Sequence, residues 1–295
     1  DFTDAEVLAK GVEKEPDIYP VIEFDEKGKE LEALLSQYHM VTRMIAQNLN
    51  RINSILHKRC PELLKRLKRG GYSQPNVLLY IYLERIDKEI YRSEGIRVTK
   101  KFVKKVEGIT LPEDRILKLI ARQTLDLIKE KRKLTKELEE CLVGFEKNDL
   151  FKSIPEMGPS TRAEVILSLK KRNYRSYRDF QAYGGTCPVT KKTGKKEYQV
   201  MRYSCNRELR DALHMFAFNT IKEVEWARAY YHKKREEGKT HGQALRALAN
   251  IWIKIMFAML KTNQLYHEEK YLMSRIRNSK SIRKSIEKEL YFVRS

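Results

Sequence analysis

Two long amphipathic stripes constrain the fold of this chain more than any other feature. From Leu31 the apolar positions Leu31, Leu34, Tyr38, Val41, Ile45, Ile52 and Ile55 keep a helical spacing as far as Pro61. Further on, Leu117, Ile120, Thr124, Leu127, Lys131, Leu134, Leu138 and Cys141 alternate three and four residues apart, with charges between them. A stripe of this period is stable in water only when another helix covers it, so the chain reads as mainly α. The second stripe is a heptad seam, which predicts either antiparallel packing on the Leu31 helix or a coiled-coil homodimer. Pro112 suits the first turn of the seam helix.

The remaining segments are shorter. Asp1 to Lys10 reads as a short helix, and Gly11 to Lys29, with Pro16 and Pro20, as a largely extended connection. Lys65 to Ser73, with Gly70-Gly71, reads as a basic turn, and the apolar run Val77 to Tyr82 fits a strand or a buried helix equally. Past Phe151 the pattern predicts helices over 207 to 231 and 241 to 260, with Gly238 in the loop between them and Trp226 and Trp252 in the core. Residues 271 to 295 are expected to make a basic amphipathic tail helix or a disordered arm.

Charge limits the partners. The chain has 60 Lys+Arg against 40 Asp+Glu, a net +20, which attracts polyanions through counterion release. The excess is local: residues 1 to 40 hold 11 acids and 4 bases, residues 41 to 110 hold 16 bases and 6 acids, and residues 151 to 210 hold 14 bases and 5 acids. A membrane is the rival polyanion. The apolar run Ile251 to Leu260 is interrupted by Lys254 and falls short of the roughly 20 residues of a spanning helix, so it reads as a buried helix and no membrane partner is expected. No secretory signal is visible, and Cys60, Cys141, Cys187 and Cys205 lack the C-x-x-C spacing of a zinc ribbon or a disulfide framework, which fits a reducing, cytoplasmic setting.

Within 151 to 213 the chemistry is concentrated. Ile154-Pro155-Glu156-Met157-Gly158-Pro159 leads into a helix over 161 to 169, so free backbone N–H groups at Gly158 make a phosphate seat, similar to the turn of helix-hairpin-helix DNA-binding modules. The alternative is an ordinary solvated helix end. Lys170, Lys171 and Arg172 follow, with Tyr174 and Tyr177 among them, a mixture that suits bases and phosphates together. Then come Ala182-Tyr183-Gly184-Gly185-Thr186-Cys187-Pro188, the cluster Lys191, Lys192, Thr193, Gly194, Lys195 and Lys196, and Asn206-Arg207-Glu208-Leu209-Arg210. Arg202, Asn206, Arg207 and Arg210 are candidate contacts, and Tyr198 and Tyr203 are open between core and ligand. A second basic set, Arg51, Lys65, Arg66, Lys68 and Arg69, lies in 41 to 70. His232, His241 and His267 have no acid at a recognisable spacing and read as solvated or capping.

In this order and spacing these motifs resemble the DEDD transposases of the insertion-sequence 110 class, whose pattern runs Ile-Pro-Gly-x-Gly-Pro, Ala-Tyr-Ala-Gly-Leu-x-Pro, Ser-Gly-Lys and Asn-x-x-Leu-Arg-x-Ala-Leu. The resemblance implies a helical Nop-like, Transposase-20-like domain over 149 to 270. Before it would come the end of a RuvC-like (RNase H fold) domain and linker over 1 to 25, a long helix over 26 to 70, a variable segment over 71 to 111 and a coiled coil over 112 to 148. After it comes the tail over 271 to 295.

Asp1-Phe2-Thr3-Asp4-Ala5 matches the Asp-x-x-Asp-Ala that closes the family's catalytic domain, so the chain is expected to begin inside that domain. The resemblance implies that Asp1 and Asp4, at i and i+3, are part of an incomplete DEDD site for Mg²⁺. Three positions depart from the pattern: Thr193 stands at the place of the family's catalytic serine, and Glu156 and Cys205 each replace a glycine. Threonine's extra methyl crowds an in-line attack. The substitution points to the related Tas proteins of tandem-interspaced-guide-RNA systems, which join a Nop-like domain to a RuvC-like nuclease and need no serine. The implied activity is therefore RNA-guided DNA targeting, with guide RNA and target DNA as partners and Mg²⁺-dependent cleavage. An RNA-guided transposase or recombinase is the alternative, and a non-catalytic RNA-binding scaffold the third.

Overall fold

The computed structural model describes Glu6, Lys10, Glu13 and residues 25–67, 74–194 and 196–278. Asp1, Asp4, Lys68, Arg69, Lys195, the expected end of a RuvC-like domain and the tail beyond 278 lie outside the described residues. Among those described, the chain is helical apart from one two-stranded sheet. It divides into two compact units, residues 1–32 with 141–295, and residues 33–140.

The smaller unit is built on the two stripes. Helix α1 (Glu26–Arg59) and helix α6 (Arg115–Leu142) frame it, with α2 (Pro61–Leu67), α3 (Gln74–Leu83), α4 (Lys88–Ser93) and α5 (Lys100–Val106) between them in sequence. Ile52 and Leu56, late in α1, share a core with Leu117, Ala121 and Leu125, early in α6. Val41 and Ile45 instead pack with Leu134. This order is antiparallel, so the seam is covered within the chain, as one of the two sequence alternatives has it. Lys131, at a seam position, escapes burial by placing its ammonium 4.9 Å from the centre of the Tyr38 ring.

Three expectations shift here. The seam helix starts at Arg115 rather than at Pro112, because Asp114 caps it, its carboxylate accepting from the Ile116 and Leu117 N–H groups at 2.9 and 3.1 Å. Lys65 and Arg66 are helical, in α2, rather than in a turn. Val77 to Tyr82 is buried helix: Leu78, Leu79, Tyr80 and Ile81 are buried in succession, which no single stripe can show, so periodicity alone does not assign it.

The larger unit contains α7 (Asn148–Lys152), α8 (Pro159–Lys171), α9 (Tyr177–Tyr183), β1 (Val189–Thr193), β2 (Lys196–Val200), α10 (Arg207–Glu223), α11 (Glu225–Glu236), α12 (His241–Thr262) and α13 (Glu268–Asn278). Every residue of α8 from Thr161 to Ser168 is buried. Helix α10 packs on α8, α11 and α12. The buried guanidinium inside α8 is satisfied directly: Arg162 donates to Asn148 Oδ1 at 2.6 Å and to the Met157 carbonyl at 3.2 Å.

Trp226 and Trp252 are core, as expected, with ring centres 4.7 Å apart. Their N–H groups donate to Tyr266 Oη and Thr220 Oγ1 at 3.0 and 3.1 Å. Helix α12 is long and apolar enough to cross a membrane by length and composition. Its apolar face, including Leu248, Trp252, Ile253 and Met256, is buried inside the unit.

Two boundaries differ from the pattern. The helix expected over 207 to 231 is two helices, because buried Val224 is extended at φ −104°, ψ 114° and ends α10. Helix α1 begins at Glu26, inside the stretch expected to be extended, where Asp25 Oδ1 accepts from the Gly28 N–H at 3.1 Å. The β1–β2 hairpin has no signature in the sequence: apart from the half-buried end pair Val189 and Val200, its residues are exposed on both faces, so it carries no alternating signal.

Candidate nucleic-acid interface

A cavity of about 730 Å³ opens where the ends of α8 and α9 meet the loop that follows β2, and Arg172, Arg202 and Arg207 line it together with Asp179 and Glu208. Its floor depends on a close backbone approach. Helix α9 stops when the Gly184 N–H donates to the Phe180 carbonyl at 2.8 Å, and Gly185 then takes φ +62°. A Cβ on Gly185 would lie 2.5 Å from Cys205 Sγ, so only glycine lets the 202–206 loop close over this turn.

Asn206 locks the same joint. Its N–H donates to the Tyr183 carbonyl at 2.8 Å, its side-chain amide donates to Tyr183 Oη at 3.2 Å, and its side-chain oxygen caps α10 by accepting from the Leu209 N–H at 3.0 Å. Asn206, expected to touch nucleic acid, thus has its backbone N–H and both side-chain polar ends engaged within the protein. Arg202 presents a buried Nε without a hydrogen-bond partner among the described residues.

The basic run at the end of α8 splits. Lys170 pairs with Asp25 at 2.9 Å and sits 4.9 Å from the Phe145 ring centre, and Lys171 pairs with Glu32 at 2.5 Å. The Lys170 hydrogen bond holds the Asp25 carboxyl below its ordinary range. Of the three cations, Arg172 alone lines the cavity. Tyr174, expected to interleave with them, is half-buried: its ring packs on Phe180 and Tyr183 at 5.0 and 5.8 Å, and burial pushes its phenol up.

The lysine cluster stands on the hairpin. Lys191 faces Tyr198 across the ladder and Thr193 faces Lys196, with Gly194 at φ +57° in the turn. Lys191, Lys192, Thr193 and Lys196 are exposed, and Lys192 pairs with Glu197 at 3.2 Å. Tyr198 and Tyr203 are also exposed, at 49% and 75%. At the start of α8, Gly158 has open space where a Cβ would point, and Glu156, at the position of a family glycine, is held at φ +62°.

Other expected residues are occupied elsewhere. Arg210 bonds Asp211 at 3.2 Å and approaches Cys205 Sγ at 3.9 Å. Arg51, Lys65 and Arg66 belong to the smaller unit. There Arg51 reaches Asn48 Oδ1 at 3.3 Å, while Arg66 pairs with Glu62 and donates to the Glu107 carbonyl at 2.8 Å. Sequence reasoning missed His214 and Arg246. Burial pushes the His214 imidazole down to about 4, Arg246 and Arg210 add to the shift, and Asp211 opposes it. No motif announces either residue. Among the described residues no group of three or more His, Cys, Asp or Glu could hold a metal ion, and the proposed Mg²⁺ ligands Asp1 and Asp4 lie outside them.

Residues 148–232, which contain the Arg172–Arg207 cavity and the hairpin, match the model of the Transposase IS116/IS110/IS902 family. The match covers less than a third of the chain, and that stretch is similar to the transposases of this family. The chain is also similar to a mini-circle putative transposase for IS117 from Streptomyces coelicolor, 27% identical over 46% of this chain and 34% of the relative. An uncharacterized 44.8 kDa protein of insertion element IS116 from Streptomyces clavuligerus is 26% identical over 90% of this chain and 72% of its own length. An uncharacterized 43.6 kDa protein of insertion element IS110 from Streptomyces coelicolor is 24% identical over 80% and 58%. The chain therefore spans about a third of the first of these relatives and about three-fifths of the third. The matched stretch runs from α7 into α11, so every residue named for the cavity falls inside it.

Proposed function

We propose that this chain is the DNA-gripping part of a transposase or recombinase of the IS116/IS110/IS902 kind, guided by a structured RNA. The observation that carries this reading is the convergence of Arg172, Arg202 and Arg207 on one cavity inside the segment that matches that family. Guanidinium groups bind phosphate oxygens bidentately, and three of them around one opening suit a sharply bent backbone rather than a single small anion. The exposed lysines of the hairpin extend the grip along the strand without reading bases.

Mg²⁺ is the proposed cofactor, with Asp1 and Asp4 as carboxylate ligands, and it would neutralise charge at the scissile phosphate. The described residues would supply grip and orientation. Incubating the protein with guide RNA, donor and target DNA and Mg²⁺ tests the reading: joined strands are expected, and Arg207→Gln is expected to lower DNA affinity about tenfold, the scale of one charge-assisted hydrogen bond. Binding that is indifferent to Arg172, Arg202 and Arg207 together would sink it.

Thr193 favours a second reading, an RNA-guided nuclease of the Tas type. It stands at the serine position but is a secondary alcohol at the exposed end of β1. In that case the same incubation yields cut but unjoined DNA and no protein-linked strand end.

A further inference from the structure

We propose that a second cavity in the larger unit, between β2 and the helices α11 and α12, binds one phosphorylated nucleotide, supplied either free or as the 5′-phosphorylated end of a strand. It rests on different residues from the Arg172–Arg207 cavity and reaches beyond the matched transposase segment, so it stands or falls separately from the DNA-gripping role.

The cavity encloses about 310 Å³. That is the small end of ligand clefts, which run from roughly 300 to 1,000 Å³, and it suits one nucleotide rather than a run of them. Beside the neutral polar side chains of Thr186, Gln199, Tyr230, Gln243 and Asn250, its lining has two characters. Pro188, Val200, Met201 and Ala247 make an apolar wall, and Lys239 and Arg246 supply cations. A flat base against the wall and a phosphate on the cations would use both. A bare phosphate would leave the wall unused.

Arg246 shows that an anion is wanted. Its side chain is half-buried and reaches Met201 Sδ at 3.6 Å, and the charge that acts on it is that of Arg210. Among the described residues neither Arg246 nor Lys239 forms an ion pair. Behind Arg246, His214 has a buried Nε2 without a hydrogen-bond partner among the described residues. Arg210 is paired with Asp211, whereas the Arg246 guanidinium, drawn partly out of water, has no ion-pair partner of its own among the described residues, and a bound phosphate would supply one. Lys234, also in the lining, already has Glu237 at 2.6 Å; Lys239 acts on that carboxylate only from a distance, so Lys239 and Arg246 are the lining cations without an ion pair.

The test uses the whole chain. Calorimetry with AMP, dAMP and inorganic phosphate is set beside fluorescence anisotropy with one short single strand carrying either a 5′-phosphate or a 5′-hydroxyl. Saturable AMP or dAMP binding, or a preference for the phosphorylated strand, is expected. Lys239→Gln, at an exposed position, and Arg246→Gln should each weaken it about tenfold, as removal of a charge-assisted hydrogen bond does. Mononucleotide binding with equal affinity for the two strands identifies a free nucleotide; preference for the 5′-phosphate identifies a strand end. The proposal is overturned if neither nucleotide saturates and the two strands bind alike, if inorganic phosphate competes as well as AMP, or if Lys239→Gln changes nothing.

Discussion

Gly185 and Cys205 touch so closely that one added carbon on Gly185 would sit 2.5 Å from Cys205 Sγ and 2.9 Å from its Cβ. Gly185 is also at φ +62°, where a side chain is strained by itself. Gly185→Ala is therefore expected to destabilise the larger unit by about 3 kcal/mol, from roughly 1–2 for the left-handed backbone and the rest from overpacking. Urea unfolding checks it. In the Gly185→Ala/Cys205→Gly double variant the steric part should be recovered and the backbone part should remain. Equal destabilisation with and without Cys205 would show that the contact does not matter.

Glu156 offers the converse change. It holds φ +62° at a position where the resemblance expects glycine. Glu156→Gly should raise stability by about 1 kcal/mol, as relief of a strained backbone exceeds the added freedom of the unfolded chain. A lower urea midpoint for this variant would show that the Glu156 side chain stabilises the turn through interactions of its own.

The fold is legible in the sequence where burial is periodic and opaque where it is not. The α1 and α6 stripes can be read because each hides one face, and so can α12, whose buried run includes Trp252. The hairpin is hidden because Lys191, Lys192, Lys196 and Tyr198 are all exposed, so neither face of the ladder is marked. Val224 is hidden because one extended residue leaves the apolar spacing on both sides intact. For the site, composition locates the right segment but cannot sort its cations. Arg172 and Lys171 are neighbours in sequence, yet one lines a cavity and the other is tied to Glu32, a residue on a distant stretch of chain. His214 and Arg246 lie on different helices and belong together only in three dimensions.

Acid should weaken the fold through His214. Burial, with Arg246 and Arg210, lowers its folded pKa to about 4 from 6.5, and Asp211 only partly compensates. Below pH 6.5 the unfolded chain takes up a proton that the folded chain refuses, so stability falls as pH drops from 6.5 to about 4 and levels off below that. The slope from this one residue is at most about 1.4 kcal/mol per pH unit. His214→Phe should flatten the stability profile in that window. An unchanged profile would place the acid sensitivity in other groups.

The hairpin lysines should contribute to affinity unequally, and salt makes the inequality measurable. Removing one phosphate-neutralising cation reduces the slope of log affinity against log salt by roughly 0.7–0.9, for single and double strands respectively. Lys191 has no carboxylate partner among the described residues, so Lys191→Gln should reduce the slope by that full step. Lys192 shares its charge with Glu197 at 3.2 Å, so Lys192→Gln should reduce the slope by less than Lys191→Gln does. Lys170→Gln and Lys171→Gln should leave the slope nearly unchanged, because Asp25 and Glu32 already neutralise them. Sequence preference should not move in any of these variants, since lysines on phosphates carry no base information. Equilibrium binding from 50 to 200 mM salt, about the range over which such cations are resolved, decides it. If Lys170→Gln flattens the slope as much as Lys191→Gln, the grip lies along the end of α8 and not on the hairpin.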